Sequence, residues 1–196
     1  MGKYYNKYKD RRDEVTVQYS KVSHIEIQPD YRGEIQNLRS DIAILKVQSP
    51  FAISHLVQPV CFTGSDNFNL GPSSGVITGW SEPSDVVKEL EVSYYNAKDC
   101  NVHFNNDFFE KYFTNDKICG KHNIEQGIAL CAGISGAGMV YKHPETGRFF
   151  IYGVVTISDI EREGPGKLCS KNNSFLGTKL NFKLICTSIT YNMRTQ

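Results

Sequence analysis

Short runs of apolar or alternating residues, each ended by turn-forming side chains, recur along the chain. The runs Val15–Tyr19, Val22–Gln28, Ile42–Val47, Gly75–Gly79, Leu90–Tyr95, Gly138–Lys142 and Phe149–Ile157 read as strands. Phe149–Ile157 is the strongest of them, because its β-branched and aromatic side chains suit a pleated, half-buried surface. Pro144, Glu145, Thr146 and Gly147 lie between two of these runs and predict a hairpin turn. Helical spacing is clear only around Leu180–Asn192, with a second candidate at Asn96–Phe104. Many short strands at regular spacing predict an all-β barrel or sandwich. The stretch Thr63–Ser74, rich in Gly, Ser, Asn and Pro, is the best internal boundary, and no internal repeat is present.

Composition narrows this picture without changing it. The 196 residues suffice for one or two small domains with a real core. With 22 basic and 21 acidic residues the formal charge is +1, so no global field favours nucleic acid or a membrane surface. The opening is locally basic and tyrosine-rich (Lys3, Tyr4, Tyr5, Lys7, Tyr8, Lys9, Arg11, Arg12), a mixture that can bind single strands. Followed by Glu14, Val15, Thr16 and Val17, it reads instead as a half-exposed strand. No apolar run approaches the roughly 18 residues of a membrane span.

The six cysteines (Cys61, Cys100, Cys119, Cys131, Cys169, Cys186) form no C-x-x-C pair and have no histidine at zinc-ligand spacing. A disulfide framework is therefore a better reading than a metal site. Disulfides imply an oxidising compartment and so export, yet the first residues do not read as a secretory signal. The expectation is a secreted, extracellular protein whose true beginning precedes Met1. Asn172-Asn173-Ser174 is a glycosylation sequon consistent with export.

The stretch Cys131 to Val140 carries the chemistry. Ser135 stands among glycines on a tight turn, where Gly133 and Gly136 let the backbone come close to a substrate and aim amides at a developing oxyanion. Such small-residue turns are common, and alone this one would be a plain turn. Asp41, Ile42, Ala43, Ile44, Leu45, Lys46 and Val47 upstream, together with the cysteine spacing, change that reading.

Taken jointly, these motifs make the chain resemble the trypsin/chymotrypsin-like serine proteases, in the style of invertebrate modular or cascade proteases, through nearly its whole length. Asp41–Val47 resembles the family segment that carries the triad aspartate. Val57–Cys61 resembles the end of the first barrel, Gly79-Trp80 the Gly-Trp of the second, and Ile118-Cys119-Gly120 with Cys131–Gly136 the approach to the nucleophile. The opening from Gly2 and the stretch Gln28–Tyr31 fit first-barrel strands. The resemblance implies a double β-barrel with an incomplete first barrel and a C-terminal α-helix. Residues 1–62 would be the remainder of the first barrel, 63–74 the inter-barrel loop, and 75–196 the second barrel with its helix. It also implies disulfides Cys100–Cys119 and Cys131–Cys169, and loss of a third bridge whose cysteines would stand at Gly75 and Tyr141. Cys61 would bridge to an upstream segment outside this chain. Cys186 would be a free, buried thiol, with a Cys61–Cys186 bridge left open.

For catalysis the resemblance assigns Ser135 as nucleophile, Asp41 as the carboxylate that orients a histidine base, and the amides of Gly133 and Ser135 as oxyanion hole. It implies no metal and no cofactor. The histidine itself is missing: the family motif that bears it would precede Asp41, where only His24 occurs, on a strand pattern. His55, His103, His122 and His143 fall in loop-like stretches downstream. Ile134 stands where active relatives keep an aspartate that pairs with a new N-terminal amine, and Ala137-Gly138 replaces Gly-Pro. Ala129 would form the base of the specificity pocket, Thr156, Ile157 and Ser158 its wall, and Phe175 would fill it; the loop Asp159–Cys169 is longer than usual. The expectation is a serine-type endopeptidase domain, truncated and inactive as this chain, acting on protein substrates. The alternative is a non-catalytic homologue that binds partners in an extracellular protease cascade. An open first barrel would leave unpaired edges prone to aggregation.

Overall fold

The computed structural model describes residues 1–62, 74–80, 84–95, 97–122, 133–144, 146–162 and 168–180. Six strands close into a barrel in the order β3-β4-β5-β8-β7-β6: β3 (Ser74–Gly79), β4 (Lys88–Tyr95), β5 (Lys117–His122), β6 (Gly138–Lys142), β7 (Phe149–Arg162) and β8 (Leu168–Lys179). All the pairings are antiparallel. Alternation decides which side chains point inward. On β4, Leu90, Val92 and Tyr94 are buried, while Glu89, Glu91 and Ser93 face out. With Ile77, Ile118, Ile134, Met139, Tyr141, Val155 and Phe175 they form one core cluster. Each large aliphatic member contributes roughly 1.5–3 kcal/mol by leaving water.

Rings of this size need gaps in the facing strands. A Cβ on Gly120 would lie 2.4 Å from the Phe175 ring, and one on Gly75 would lie 2.1 Å from that of Tyr94. Val76 pairs with Val140 and Ile77 with Met139, so the same register sets Gly75 opposite Tyr141. Where a bridge would cross those strands, the ring of Tyr94 takes the space instead, its hydroxyl donating to the Val140 carbonyl.

A second apolar cluster covers the outside of β5 and β8. It is built from Cys100, Phe104, Cys119 and Leu176 with Phe108, Phe109, Tyr112 and Phe113 around them. Cys119 and Leu176 come from the strands themselves; the rest come from α1 (Ala97–Cys100), from α2 (Asn106–Tyr112) and from residues flanking α2, with the 3-10 turn Asn101–His103 between the two helices. The Asn105 side chain caps α2 by accepting from the Asp107 amide at 2.9 Å. A disulfide joins Cys100 to Cys119, the pair the resemblance implies. The helical candidate at Asn96–Phe104 is therefore a single α-turn followed by the 3-10 turn.

The second sheet is two-stranded: β1 (Val22–Ile27) pairs antiparallel with β2 (Ala43–Val47). The all-β architecture is thus one closed barrel with a small companion sheet. The run Val15–Tyr19 is no strand; Val15 is 98% exposed and belongs to the turn after the 3-10 helix Arg11–Asp13. Asp13 draws the chain into that turn by accepting from the amides of Tyr4 and Tyr5, which satisfies backbone donors locally and leaves no ladder to extend. Among the described residues of this opening only Tyr5 forms a strand-like bridge, to Val86. The hairpin at 144–147 forms as expected, with the His143 amide donating to Arg148 O and that of Gly147 to His143 O. The stretch 63–73 and the helix expected over Leu180–Asn192 lie outside the described residues, apart from Leu180.

Candidate active site

The turn at residues 133–137 is fixed from both sides. Gly133 and Gly136 have φ of 110° and 85°, values that L side chains rarely adopt. The Gly136 amide donates to Val155 O at 2.8 Å, that of Val155 to Ala137 O at 2.9 Å, and that of Ala137 to Ile134 O at 2.9 Å. Gly133 presses against the Trp80 carbonyl, where a Cβ would come within 3.0 Å. Trp80 is held in turn by the first residues of the chain, its indole N–H donating to Tyr4 O at 3.0 Å. Ile134 points into the barrel core, whereas Ser135 is exposed. Among the described residues the amides of Gly133 and Ser135 donate to no protein acceptor.

Asp41 sits at the junction between the small sheet and the barrel. Burial pushes its carboxyl pKa up, opposed by the nearby Lys117 ammonium and by the Tyr31 hydroxyl, which donates to it. The Lys117 side chain is fully covered. Its ammonium donates to Leu38 O at 2.7 Å, Asp116 Oδ2 at 3.0 Å and Thr178 Oγ1 at 3.1 Å. Thr178 and Thr156 share a hydroxyl–hydroxyl bond of 3.0 Å. The Ser40 amide donates to Asp116 at 2.8 Å. Asn37, Leu38 and Ser40 all have positive φ, so this cluster holds a strained approach to Asp41.

The sequence-derived residues thus fall into two neighbouring groups. Asp41 and Thr156 meet around Lys117 and Thr178, and the Ser135 turn is hydrogen-bonded to Val155, one residue from Thr156. No hydrogen bond joins Asp41 to Ser135 among the described residues. Lys117, Asp116 and Tyr31 were missed by sequence reasoning, because Asn115-Asp116-Lys117 reads as a solvated turn; only its place before an apolar-flanked cysteine hints at burial.

The five histidines are spread over separate parts of the chain. His24 is in β1 opposite Lys46. His55 is exposed in a turn. The His103 ring lies 4.3 Å from that of Tyr95. The His143 ring packs near Phe150 and its Nδ1 accepts from the Thr146 amide. His122 corrects the loop expectation: it is buried in β5, its Nδ1–H donating to the Glu91 carbonyl at 2.8 Å. β4 covers it, and its strand position follows from pairing with Val92.

Of the expected pocket, Ile157 packs on the helical cluster, and Ser158 pairs with Phe175 beside a bulge in β7. Phe175 is fully buried in the core. Ala129, Cys131, the Cys169 side chain and Cys186 lie outside the described residues. Cys61 is a free, half-buried thiol whose backbone bridges to β7 through Phe149 and Ile151. The described residues contain no group of three or more side chains able to hold a metal ion. No described helix is long and apolar enough to cross a membrane.

The family model for trypsin matches residues 3–175. The chain belongs to the trypsin family. Relatives include the clotting factor G beta subunit of Tachypleus tridentatus, 34% identical over 127 residues, which are 59% of this chain and 41% of that protein. Clotting factor C of the same species is 26% identical over 193 residues, 92% of this chain and 18% of that protein. The modular serine protease of Drosophila melanogaster is 28% identical over 155 residues, 69% of this chain and 22% of that protein. This trypsin-family chain therefore spans less than half the length of each of these relatives.

Proposed function

We propose that this trypsin-family domain presents the nucleophile and oxyanion turn of a serine endopeptidase but has no general base within its 196 residues, and so hydrolyses no peptide bond by itself. The observation that carries this reading is the surroundings of Asp41: its carboxylate takes a hydrogen bond from Tyr31 and faces Lys117, and no histidine is among the groups that shift its carboxyl. In the acyl-enzyme route Ser135 Oγ attacks the scissile carbonyl carbon as its proton passes to a base. Ser135 is exposed for that attack, and the amides of Gly133 and Ser135, which find no acceptor among the described residues, would receive the oxyanion. Without the base, oxyanion binding alone leaves only about 10³–10⁴-fold over water.

On this reading residues 1–62 are the remainder of the first barrel, 63–74 the connection, and 75–196 the second barrel with its terminal helix. Ala129, Thr156, Ile157 and Ser158 line the substrate pocket and Phe175 closes it, with Cys131–Cys169 bracing its walls. The domain is secreted, as its disulfide suggests, and Cys61 bridges to an upstream segment that would also supply the missing base. Its targets are protein substrates or cascade partners, as the names of its clotting-factor relatives suggest.

The test is labelling of the full chain with a fluorophosphonate probe, with Ser135→Ala as control. The expected signal equals that of the control; robust labelling at Ser135 overturns the reading. A second reading, a non-catalytic homologue that acts by binding, is favoured by Ile134 and by the filled space around Phe175. A histidine-bearing upstream segment that restores labelling when co-expressed would exclude it.

A further inference from the structure

We propose that the side chain of Ile134 sets the turn 133–137 in its oxyanion-ready shape by burial in the barrel core, so that the turn needs neither a charged latch nor a cut in the chain to form. This rests on reading the turn as an oxyanion site, and it concerns how that site is regulated.

Apolar packing, a close backbone approach and backbone hydrogen bonds fix the turn, and among the described residues none of these contacts involves an ionised group. Ile134 is 4% exposed and belongs to the same cluster as Ile77, Leu90 and Phe175. Its Cγ2 lies 3.5 Å from where a Cβ on Gly79 would stand, so it packs against the end of β3. Gly133 abuts the Trp80 carbonyl on the adjoining residue. Downstream, the Gly136 and Ala137 amides are both spent on carbonyl oxygens, those of Val155 and Ile134. Among the described residues the two amides of the turn with no acceptor are those of Gly133 and Ser135, which flank the buried side chain.

Moving the turn out of this shape would pull isoleucine from the core into water. Turn geometry and core packing are thereby one event. Among the described residues no ion pair reaches 133–137. Among the described residues the ionisable side chains buried in the cluster are Tyr94 and Tyr141, with Tyr152 packed against it, and burial pushes the Tyr94 and Tyr141 phenols up, away from neutral pH.

The experiment is amide hydrogen exchange on the full chain. Protection at Gly136 and Ala137, corrected for intrinsic rates, should stay constant relative to strand amides of Ile77 and Leu90 between about pH 6 and pH 8. Ile134→Ala should lower that ratio roughly tenfold or more, while Ile134→Val should keep it within about threefold. Val92→Ala weakens the same cluster away from the turn and should lower turn and strand protection together. Should Ile134→Ala not fold, Ile134→Val and Ile134→Thr give the same graded loss. The proposal is overturned if Ile134→Ala, or Ile134→Thr in its place, leaves the turn-to-strand ratio where Val92→Ala leaves it, or if protection in the unaltered chain steps with pH around a single midpoint. Fluorophosphonate labelling reports on the base and exchange on the turn, so failure of one reading does not imply failure of the other.

Discussion

At the scale of single residues, Asp13 organises the opening of the chain. Its carboxylate accepts from the amides of Tyr4 at 2.9 Å and Tyr5 at 3.0 Å and from the Lys3 ammonium at 3.1 Å. Burial pushes its pKa up, but the Tyr5 and Tyr4 amides and Lys3 outweigh this and hold it below the ordinary 3.8. A depressed carboxyl stabilises the fold fully above its unfolded pKa and loses that contribution as pH falls through the folded one. Asp116 is shifted the same way; Asp41, raised by burial, acts in the opposite sense. Stability should therefore hold above the ordinary aspartate range and drain away below it. Asp13→Asn should be less stable at neutral pH, with a flatter acid limb in urea denaturation followed from neutral pH downward. An acid limb as steep as that of the unaltered chain would remove Asp13 as its cause.

Lys117 shows how elements are joined. It reaches from β5 to the loop before β2 and to β8, and its side chain is completely covered. Removing one partner of a buried pair leaves the other charge uncompensated, at a cost of about 3–5 kcal/mol. Lys117→Met should lower the urea midpoint accordingly, and adding Asp116→Asn should recover part of the loss; strictly additive effects would mean that the two do not interact. The same strand marks what was legible in the sequence. β4 and β6 alternate between a core face and an outer face, so their patterns predict them. β5 is covered on both sides, by the barrel core and by the helical cluster, and its sequence alternates nothing. β8 buries Ser174 and Thr178 along with Phe175 and Leu176, so it reads as a polar loop. The nucleophile turn was legible because its glycines are demanded by backbone geometry, whereas the cluster around Asp41 depends on long-range partners that no local pattern carries.

The whole molecule is unevenly finished. The barrel closes on itself, while among the described residues β1 and β2 pair only with each other. Register places Ile25 opposite Leu45, Ile27 opposite Ala43 and Val22 opposite Val47, so one face of this ribbon is apolar; the other carries His24, Glu26 and Lys46 with Ile44. Val22, Ile25, Ile27 and Leu45 are 46%, 55%, 57% and 57% exposed. A two-stranded ribbon is marginal alone, and an apolar face flanked by open strand edges invites association between chains. Ile25→Lys combined with Leu45→Lys removes apolar area from a face that the barrel does not cover. This variant should stay soluble at concentrations where the unaltered chain sediments or scatters light, while exchange protection of Ile77, Leu90 and Val92 stays unchanged. If protection in the barrel fell together with the substitution, the ribbon would be part of the same cooperative unit. Equal scattering from the two proteins would place the association on another surface.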